Sequence, residues 1–359
     1  MPAAEAPPKS AMNSWKADNT APILETRALC KYFPVKGGIL MRERGQLKAV
    51  DGVSLSLGRA ETLGLVGESG CGKSTLGRCI VRLYEPTSGS IHFDGMDISR
   101  LSQGELKPLR RNIQMIFQDP AESLNPRFSV GQILEEPFAI HGIGKAKERR
   151  DMARELLRRT GLEPDAADRF PFEFSGGQRQ RIGIARAIAL NPRLIVCDEP
   201  VSALDVSVQS QIINLLLELQ AGLGLSYVFI AHDLAVVRHI SDRIAIMYLG
   251  RVVELAPADE IFSHPRHAYT QALLESIPRP DPRSKTKARV LRGEVPSPID
   301  PPKGCAFAPR SPLPHSPAQA LVPPLWKEVS PGHWVDVHPA TVRDWESQLS
   351  AEEQARFAC

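Results

Sequence analysis

Short apolar runs alternate with longer amphipathic stretches from Ile23 onward. Six runs rich in β-branched or other apolar residues predict strands, at residues 62–66, 90–93, 113–117, 194–197, 227–231 and 243–247. Three of the six are almost wholly apolar, which is typical of parallel strands that are covered on both faces. Because helix-length segments separate these strands, the pattern predicts an α/β domain.

The strand pattern is interrupted over residues 125–174. Inside this stretch, residues 145–161 carry apolar side chains at helical spacing and end on Gly161, a suitable helix C-cap. We therefore predict an inserted α-helical subdomain at about residues 120–180. Its basic run at residues 145–150 could contact lipid headgroups, although a solvated helix face is the favoured interpretation.

Both ends of the chain differ in composition from the α/β segment. Residues 1–20 are rich in Ala and Pro and predict a disordered tail. Residues 279–359 are rich in Pro, Arg and Ser, and we expect little regular structure in them. The predicted globular domain is therefore residues 21–278, followed by a C-terminal extension.

Charge and cysteine content argue against several classes of protein. Lys and Arg total 44 against 41 acidic residues, which is too balanced for a nucleic-acid-binding surface, so no nucleic-acid partner is expected. No apolar run reaches the roughly 18 residues of a membrane span, and the N-terminus lacks a secretory-signal pattern, which predicts a cytosolic chain. The six cysteines lack CxxC spacing, which favours free thiols over disulfides or a zinc site.

A glycine-rich loop follows the first predicted core strand. It has the pattern G-x-x-x-x-G-K-[ST], between a strand and a helix-compatible segment. Such glycines let backbone N–H groups converge on phosphate oxygens at the positive end of a helix dipole. Lys73 is expected to reach the β- and γ-phosphates, and the Ser74 hydroxyl to bind Mg²⁺. The predicted phosphate-binding residues are Gly67, Ser69, Gly70, Cys71, Gly72, Lys73, Ser74 and Thr75.

Two adjacent carboxylates end the apolar run 194–197. A buried strand would deliver Asp198 to Mg²⁺, and Glu199, one residue later, could take a proton from an attacking water. Paired acids on loops are common, but this pair lies downstream of a phosphate-binding loop and directly after a buried strand. We therefore predict that Asp198 binds Mg²⁺ and that Glu199 acts as a general base.

A third segment, Ser175-Gly176-Gly177-Gln178, lies between these two motifs. Its backbone N–H groups could bind a γ-phosphate at a helix N-terminus. The same residues could equally form an ordinary helix N-cap with flexible glycines.

Taken in this order, the motifs resemble those of the ABC ATPase family. The resemblance covers about residues 23–300 and identifies residues 175–178 as the signature loop, with Phe174 where Leu is more usual. It implies an α/β P-loop NTPase with a RecA-like core, an N-terminal antiparallel β part, an inserted α-helical subdomain and a C-terminal extension. It also implies ATP as substrate and Mg²⁺ as cofactor.

The same resemblance assigns roles to single residues outside the two loops. Gln118 resembles the Q-loop residue, which also binds Mg²⁺, and His232 resembles the switch histidine that acts in hydrolysis beside Glu199. Asp205 resembles the D-loop residue. Phe33, with Tyr32 as the runner-up, resembles the aromatic side chain that stacks on adenine.

A narrower resemblance is to the ATPases of oligopeptide, dipeptide and nickel importers. It rests on residues 118–126, 173–181 and 264–274, and an insertion at 34–40 resembles the second, or F-type, subunit. It implies peptide import, with nickel, glutathione-like or opine-like cargo as alternatives. The implied partners are a second ATP-binding subunit, two transmembrane permease subunits and an extracytoplasmic substrate-binding protein. The implied location is peripheral, on the cytoplasmic face of the inner membrane.

One departure from that family concerns an iron–sulfur cluster. Some members hold such a cluster with cysteines in the C-terminal extension. Here Cys305 is retained, whereas Ser311 and Val337 stand at two positions where cysteines are expected. One thiolate cannot supply the four ligands of a cluster, so we predict no iron–sulfur centre.

Three other classes remain as alternatives. A soluble ABC ATPase acting on nucleic acid or ribosomes would need a coiled-coil insert, zinc-binding cysteines or a duplicated domain, none of which the sequence contains. A P-loop kinase would give no reason for the Ser-Gly-Gly-Gln segment. A regulatory subunit that binds ATP without hydrolysing it is disfavoured by the presence of Glu199 and His232.

Overall fold

The computed structural model of the 359-residue chain describes residues 21–37, 42–277, 291 and 293–358. The predicted disordered tail, residues 1–20, lies outside the described part. So do residues 38–41, which overlap the end of the insertion that resembles F-type subunits, and residues 279–290, at the start of the extension.

All six predicted strands form, each ending within two residues of its predicted bounds, and six further strands accompany them in the described residues. The strands are β1 (Leu24–Gly37), β2 (Arg42–Leu57), β3 (Thr62–Val66), β4 (Ser88–Phe93), β5 (Met96–Asp97), β6 (Ile113–Ile116), β7 (Leu194–Asp198), β8 (Ser226–Ala231), β9 (Arg243–Tyr248), β10 (Arg251–Pro257), β11 (Leu325–Ser330) and β12 (His333–Val337).

Twelve α-helices form in the described residues, with short 3-10 turns between some of them. The helices are α1 (Lys73–Ile80), α2 (Gln103–Leu109), α3 (Pro120–Ser123), α4 (Val130–Ile140), α5 (Ala146–Arg159), α6 (Gly176–Ile188), α7 (Val206–Leu223), α8 (Leu234–Ile240), α9 (Ala258–Ser263), α10 (Ala268–Glu275), α11 (Pro317–Ala320) and α12 (Ala351–Ala355).

Five parallel strands, in the order β9-β3-β8-β7-β6, form one side of an eight-stranded sheet, the central sheet of the molecule, and β6 is its edge strand. Side chains of β7 alternate between two apolar clusters. Leu194 and Val196 join the cluster that contains α1, whereas Ile195 and Cys197 join the cluster that contains α6 and α7. Because both faces of the strand are covered, both sets of positions must be apolar, which explains the uninterrupted apolar run in the sequence.

A separate antiparallel sheet has the strand order β2-β1-β4-β5. Its buried side chains, such as Leu29 and Val53, share an apolar cluster with Leu76 and Ile80 of α1. This sheet is the antiparallel β part implied near the N-terminus, and it lies on the α1 side of the central sheet.

Only helices and turns connect β6 to β7, over residues 117–193, all of which are described. The predicted helix at residues 145–161 is α5. Leu134 of α4, Leu157 of α5 and Ile184 of α6 are fully buried and share one apolar cluster. These helices form the inserted α-helical part of the predicted fold.

The expectation of little regular structure after residue 279 is wrong. β11 and β12 form a hairpin, and β12 pairs with β10, so the extension adds two strands to the central sheet. Val335, Val337 and Phe357 are almost completely buried in an apolar cluster of the extension itself. Alternation in β12 was the missed signal, since its five residues are too few to stand out among proline-rich flanks.

A buried hydrogen-bonded contact between Glu254 and His333 fixes the extension to the rest of the sheet. Glu254 of β10 accepts hydrogen bonds from the backbone of Arg266 at 2.7 Å and of His267 at 3.1 Å. His333 Nε2 of β12 lies 2.8 Å from Glu254 Oε1, and both side chains are buried. A buried carboxylate with three partners holds β10, β12 and the segment before α10 in one arrangement.

Candidate functional site

The glycine-rich loop connects β3 to α1, as its sequence predicts. Lys73 begins α1 and is only 4 % exposed. Its ammonium group donates hydrogen bonds to the carbonyl oxygens of Gly67 at 2.7 Å and of Glu68 at 3.0 Å. The Lys73 ammonium is therefore held over the start of the loop by two backbone carbonyl groups, and neither of these two hydrogen bonds involves a carboxylate.

Two glycines allow this loop to pass close to neighbouring backbone. A Cβ atom at Gly67 would lie 2.1 Å from the Met247 carbonyl oxygen at the end of β9. Gly72 has a φ of 107°, and a Cβ there would lie 1.9 Å from the Ala49 carbonyl oxygen of β2. Both distances are far below van der Waals contact, so the loop depends on glycine at these positions.

The middle of the loop is exposed and its ends are packed. Ser69 and Gly70 are exposed, whereas Cys71 is buried and its carbonyl oxygen accepts a hydrogen bond from Gly250 N at 2.9 Å. Burial is the main cause that raises the pKa of the Cys71 thiol, so the thiol stays protonated at neutral pH. Thr75 lies half-buried in the first turn of α1.

Ser74 and Asp198 meet although 124 residues separate them. The Ser74 hydroxyl donates to Asp198 Oδ1 at 2.7 Å. The other carboxylate oxygen is buried and has no hydrogen-bond partner, with the Arg78 guanidinium 3.9 Å away. Burial is the main cause that raises the pKa of Asp198, and the hydrogen bond from Ser74 opposes it. A hydroxyl beside a buried carboxylate oxygen that has no hydrogen-bond partner fits the oxygen ligands that Mg²⁺ prefers.

Gln118, Glu199 and His232 come together beyond the end of β7. The Gln118 side-chain amide donates to Glu199 Oε2 at 2.8 Å, and His232 Nδ1 lies 3.7 Å from the same oxygen. Glu199 has a φ of 47°, which is rare for residues other than glycine, and its N–H donates to Ile230 O at 3.0 Å. Strain of this kind is found at functional sites, where surrounding contacts hold it in place.

This cluster opens into a cleft of about 1150 Å³ between the central sheet and the inserted helices. The cleft borders Gln118, Glu199 and His232 on one side and α4 on the other. Ile140 of α4 and Leu83 line it and are 55 % and 46 % exposed. Exposed apolar side chains beside a polar cluster are typical of a surface that contacts another molecule.

The Ser175–Gln178 segment forms the N-terminus of α6. Ser175 is the N-cap: its hydroxyl accepts from Gln178 N at 3.3 Å, and the Gln178 side chain accepts from Ser175 N at 3.0 Å. A Cβ at Gly177 would lie 2.4 Å from Val208 Cγ1, so α6 packs closely on α7 there. Ser175 and Gly176 are exposed. The segment is therefore a helix N-cap with accessible backbone N–H groups, which leaves the phosphate-binding role a prediction.

Asp205 and Phe33 have well-defined surroundings. Asp205 is the N-cap of α7 and accepts from Val208 N at 3.0 Å, so the structure gives it a capping role. Phe33 is half-buried in β1, 5.5 Å edge-to-face from the ring of Tyr84. The Tyr32 hydroxyl donates to the Asp51 carboxylate. The Tyr32 ring is thus tied to β2 by a hydrogen bond, whereas the Phe33 side chain makes none. The adenine-stacking role of Phe33 remains a prediction.

Two residues near the site were missed by the sequence analysis. Arg78 lies on α1 near Asp198 and lines the cleft, but an arginine in a helix carries no distinctive pattern. The Tyr269 hydroxyl accepts a hydrogen bond from Glu68 N at 2.9 Å, inside the glycine-rich loop. Tyr269 lies in the segment 264–274, on which the narrower family resemblance partly rests. The sequence of that segment gives no sign that the Tyr269 hydroxyl contacts the glycine-rich loop.

Two family models match the chain. The model described as ABC transporter matches residues 50–202, a range that includes the glycine-rich loop, the Ser175–Gln178 segment and Glu199. The model described as oligopeptide/dipeptide transporter, C-terminal region, matches residues 253–316. This second range includes Tyr269 and runs from β10 into the extension.

Individual relatives agree with these matches. The chain is 55 % identical over 325 residues to the oligopeptide transport ATP-binding protein AppF of Bacillus subtilis, which covers 90 % of this chain and 98 % of AppF. Among solved structures, the ATP-binding cassette MJ0796, a dimer bound to ADP and phosphate, matches with a TM-score of 0.59 and 32 % identity over 66 % of this chain and 98 % of that one. The cbiO1 protein of Clostridium perfringens, part of an ABC transporter complex, matches with a TM-score of 0.58 and 30 % identity over 68 % and 92 %.

These comparisons confirm the predicted family, the predicted P-loop fold class and the predicted assignment to the ATPases. Near-complete coverage of AppF at 55 % identity is far above the level at which a common fold and family are shared. The chain belongs to the ABC transporter family, as one of its ATP-binding subunits.

Proposed function

We propose that this chain hydrolyses ATP to power the import of di- and oligopeptides through a membrane transporter. The observation that carries the proposal is the juxtaposition of Glu199 with Gln118 and His232, beside the Ser74–Asp198 pair. The name of AppF and the match to an oligopeptide/dipeptide transporter region favour peptide cargo over nickel or another small solute.

Each side chain of the site has a role in this reaction. The exposed backbone of the glycine-rich loop and the Lys73 ammonium bind the phosphates of ATP. Ser74, Asp198 and Gln118 would hold Mg²⁺, which supplies positive charge against the phosphate oxygens when bound. Glu199 takes the proton of the attacking water, and His232 steadies the γ-phosphate. Phe33 stacks on the adenine ring.

A second ATP-binding subunit completes the site in this proposal. Each subunit places its Ser175–Gln178 segment and its Asp205 against the nucleotide of the other, so a single chain is a poor ATPase. The exposure of Ser175 and Gly176 supports this arrangement. The Ser175 N–H donates to the Gln178 side chain within the cap, and the exposed N-terminus of α6 is accessible to a second chain. MJ0796, the related cassette, was solved as a dimer. A heterodimer with a similar subunit is the proposed form.

Substituting Ser175→Ala is expected to slow ATP turnover of the assembled transporter about tenfold, with ATP binding by the substituted chain itself unchanged. One hydrogen bond to a charged phosphate is worth about 1.5–3 kcal/mol, which corresponds to a factor of ten or more. Turnover is measured on transporter purified through a tag on this chain, and binding with a fluorescent ATP analogue.

Ser129→Ala is the matched control for Ser175→Ala. Ser129 caps α4 with the same reciprocal hydrogen bonds to Gln132, so its loss costs a helix cap of about 1 kcal/mol without touching nucleotide. Equal turnover in the two variants would mean that Ser175 serves only as a cap.

The membrane subunits are proposed to contact the cleft that borders Gln118. Its exposed side chains Ile140 and Leu83 offer apolar surface directly beside the cluster that would respond to ATP. Within residues 21–37, 42–277 and 293–358, the structure has no helix long and apolar enough to cross a bilayer. The family match supports a proposed location that is peripheral, on the cytoplasmic face of the inner membrane. An extracytoplasmic binding protein would deliver the peptide to the membrane subunits.

Uptake of labelled di-, tri- and pentapeptides by cells that lack this chain tests the proposed function. Deletion is expected to abolish uptake of at least one length class. Wild-type chain is expected to restore it, and Glu199→Gln chain is not. The comparison is made in a strain without other peptide importers, so that a redundant system does not mask the loss.

Unchanged peptide uptake in that strain would contradict peptide import and leave the ATPase role to be assigned to another cargo. Uptake of nickel, measured in the same deletion strain, would then decide between the metal and another small solute.

A further inference from the structure

We propose that the C-terminal extension positions the phosphate-binding loop for ATP through an ion pair between Arg310 and Glu68. Glu68 is the second residue of the glycine-rich loop, and Arg310 ends a 3-10 turn (Ala308–Arg310) in the extension. The inference rests on the proposed nucleotide-binding role of the loop and gives the extension a part in it.

The ion pair joins the extension to the glycine-rich loop by two hydrogen bonds. Arg310 Nη1 donates to Glu68 Oε2 at 2.7 Å, and Nη2 donates to Oε1 at 3.0 Å, although 242 residues separate the two. The Arg310 side chain is 8 % exposed and that of Glu68 is 29 % exposed. A fork of this kind fixes direction as well as distance, which a single contact with a lysine would not.

Aromatic packing holds the guanidinium in place. Arg310 lies over the ring of Tyr248, 5.8 Å from its centre. The ring of Phe307, three residues before Arg310, lies 5.5 Å from that of Tyr248 and 5.9 Å from that of Tyr269. These side chains are buried, so the end of the 3-10 turn has little freedom to move relative to β9 and α10.

Glu68 is held at its backbone from the same side. Its N–H donates to the hydroxyl of Tyr269 at 2.9 Å, and its carbonyl oxygen accepts from Lys73 at 3.0 Å. Side chains beyond residue 253 therefore fix both the amide and the carboxylate of Glu68. The carbonyl oxygen of Glu68 also accepts a hydrogen bond from the Lys73 ammonium. Glu68 therefore connects Arg310 directly to a side chain that is proposed to bind phosphate.

Movement of Glu68 would alter the position of Lys73 directly. If Arg310 is removed, the Glu68 carboxylate keeps no other side-chain hydrogen-bond partner in the described part of the chain and is free to turn to solvent. The Tyr269 hydroxyl would then be the one remaining side-chain contact outside the loop that the described residues offer Glu68, and the Lys73 ammonium would lose part of its fixed anchoring. Arg310 is thus a positioning residue: it touches the loop and not the nucleotide.

The test measures ATP affinity of the full-length chain with a fluorescent ATP analogue in the presence of Mg²⁺. The variants are Glu68→Gln, Arg310→Gln, Arg310→Lys and the double variant Glu68→Gln/Arg310→Gln. Each Gln single variant is expected to weaken binding about tenfold, the range for one charge-assisted contact. The double variant is expected to weaken it no further, because both singles remove the same interaction. Arg310→Lys keeps the charge without the fork and is expected to fall between wild type and Arg310→Gln.

Lys327→Gln is the matched control. Lys327 and Glu353 form an ion pair of 2.7 Å inside the same extension, away from the loop. Its loss is expected to leave ATP affinity unchanged. Thermal unfolding without nucleotide is recorded for all variants, and a role in positioning predicts that affinity falls even where the unfolding temperature stays within a few degrees of wild type.

The outcomes separate this inference from the proposed function. Wild-type chain that does not bind ATP would contradict the proposed function itself. Wild-type binding with undiminished affinity in Glu68→Gln and Arg310→Lys would overturn the positioning role. So would single losses that multiply to about a hundredfold in the double variant, since independent effects would then explain them. Should Arg310→Gln fail to fold, Glu68→Gln and Arg310→Lys still decide the question.

Discussion

Replacing Glu199 by Gln is expected to leave ATP binding at wild-type affinity and to slow ATP turnover about a thousandfold. A positioned general base contributes about 10²–10⁴-fold to rate, and an amide cannot take a proton from water. Gln has the same size as Glu, so one amide orientation still presents an oxygen to the Gln118 amide, which now donates to Glu199 Oε2 at 2.8 Å. The structure around the site should therefore change little.

Turnover of the purified transporter and binding of a fluorescent ATP analogue give the two measurements for Glu199→Gln. The matched control is Glu218→Gln, which makes the same chemical change at an exposed position on α7. Turnover within twofold of wild type would remove Glu199 as the base. Loss of ATP affinity instead of turnover would assign Glu199 a binding role.

Backbone strain at Glu199 adds a reason to expect so specific an effect. A φ of 47° is uncommon for a side chain of this length, and the hydrogen bond from its N–H to Ile230 O holds the conformation. The carboxylate is then directed at the Gln118 and His232 side chains rather than along β7. A residue held against its preferred conformation implies that the direction of its side chain matters more than local stability.

Local sequence patterns determined the parts of the fold that were predicted correctly. The loop between β3 and α1 follows from glycines and a lysine within nine residues, because a tight turn onto a helix requires them in that order. The strands were predictable because β7 and its neighbours are covered on both faces. In each of these cases, one short stretch contains the whole signal.

Long-range pairing explains what sequence reasoning missed. β12 joins the central sheet through β10, but a strand of five residues in a proline-rich segment resembles a loop when its partner is about 80 residues away. Arg310 and Glu68 are 242 residues apart, and the sequence around each of them is ordinary. Nothing in the local sequence therefore predicts their contact. Ser74 and Asp198 could be assigned to one site from the sequence, because the acid pair ends an apolar strand downstream of a phosphate-binding loop.

The Ser175–Gln178 segment shows why two interpretations of one pattern can both hold. Its side chains form the reciprocal hydrogen bonds of a helix N-cap, as the simpler interpretation requires. The same cap leaves the N–H groups of the exposed glycine accessible at the positive end of α6, as phosphate binding requires. Geometry within one chain therefore does not separate them, which is why the Ser175→Ala test compares the binding of one chain with the turnover of a pair.

A substitution of Gly72→Ala is expected to weaken ATP binding more than about a hundredfold. The new Cβ would lie 1.9 Å from the Ala49 carbonyl oxygen, and the φ of 107° lies outside the region that an alanine readily adopts. Strained backbone alone costs about 1–3 kcal/mol, and the clash with a backbone atom of β2 adds to it. Because Lys73 follows directly and begins α1, the loop can relieve the clash only by moving the residues proposed to bind phosphate.

Gly52→Ala separates this effect from the general cost of replacing a glycine. Gly52 lies in β2 with a φ of 74°, and a Cβ there would meet no atom within 4 Å. Its replacement should cost about 1 kcal/mol of stability and leave ATP affinity unchanged, because the strain is not accompanied by a clash or by movement of the loop. Affinity is measured with the fluorescent ATP analogue, and folding by thermal unfolding. Equal affinities in Gly72→Ala and wild type would show that the loop can be displaced without loss of nucleotide, and that its close approach to β2 serves packing alone.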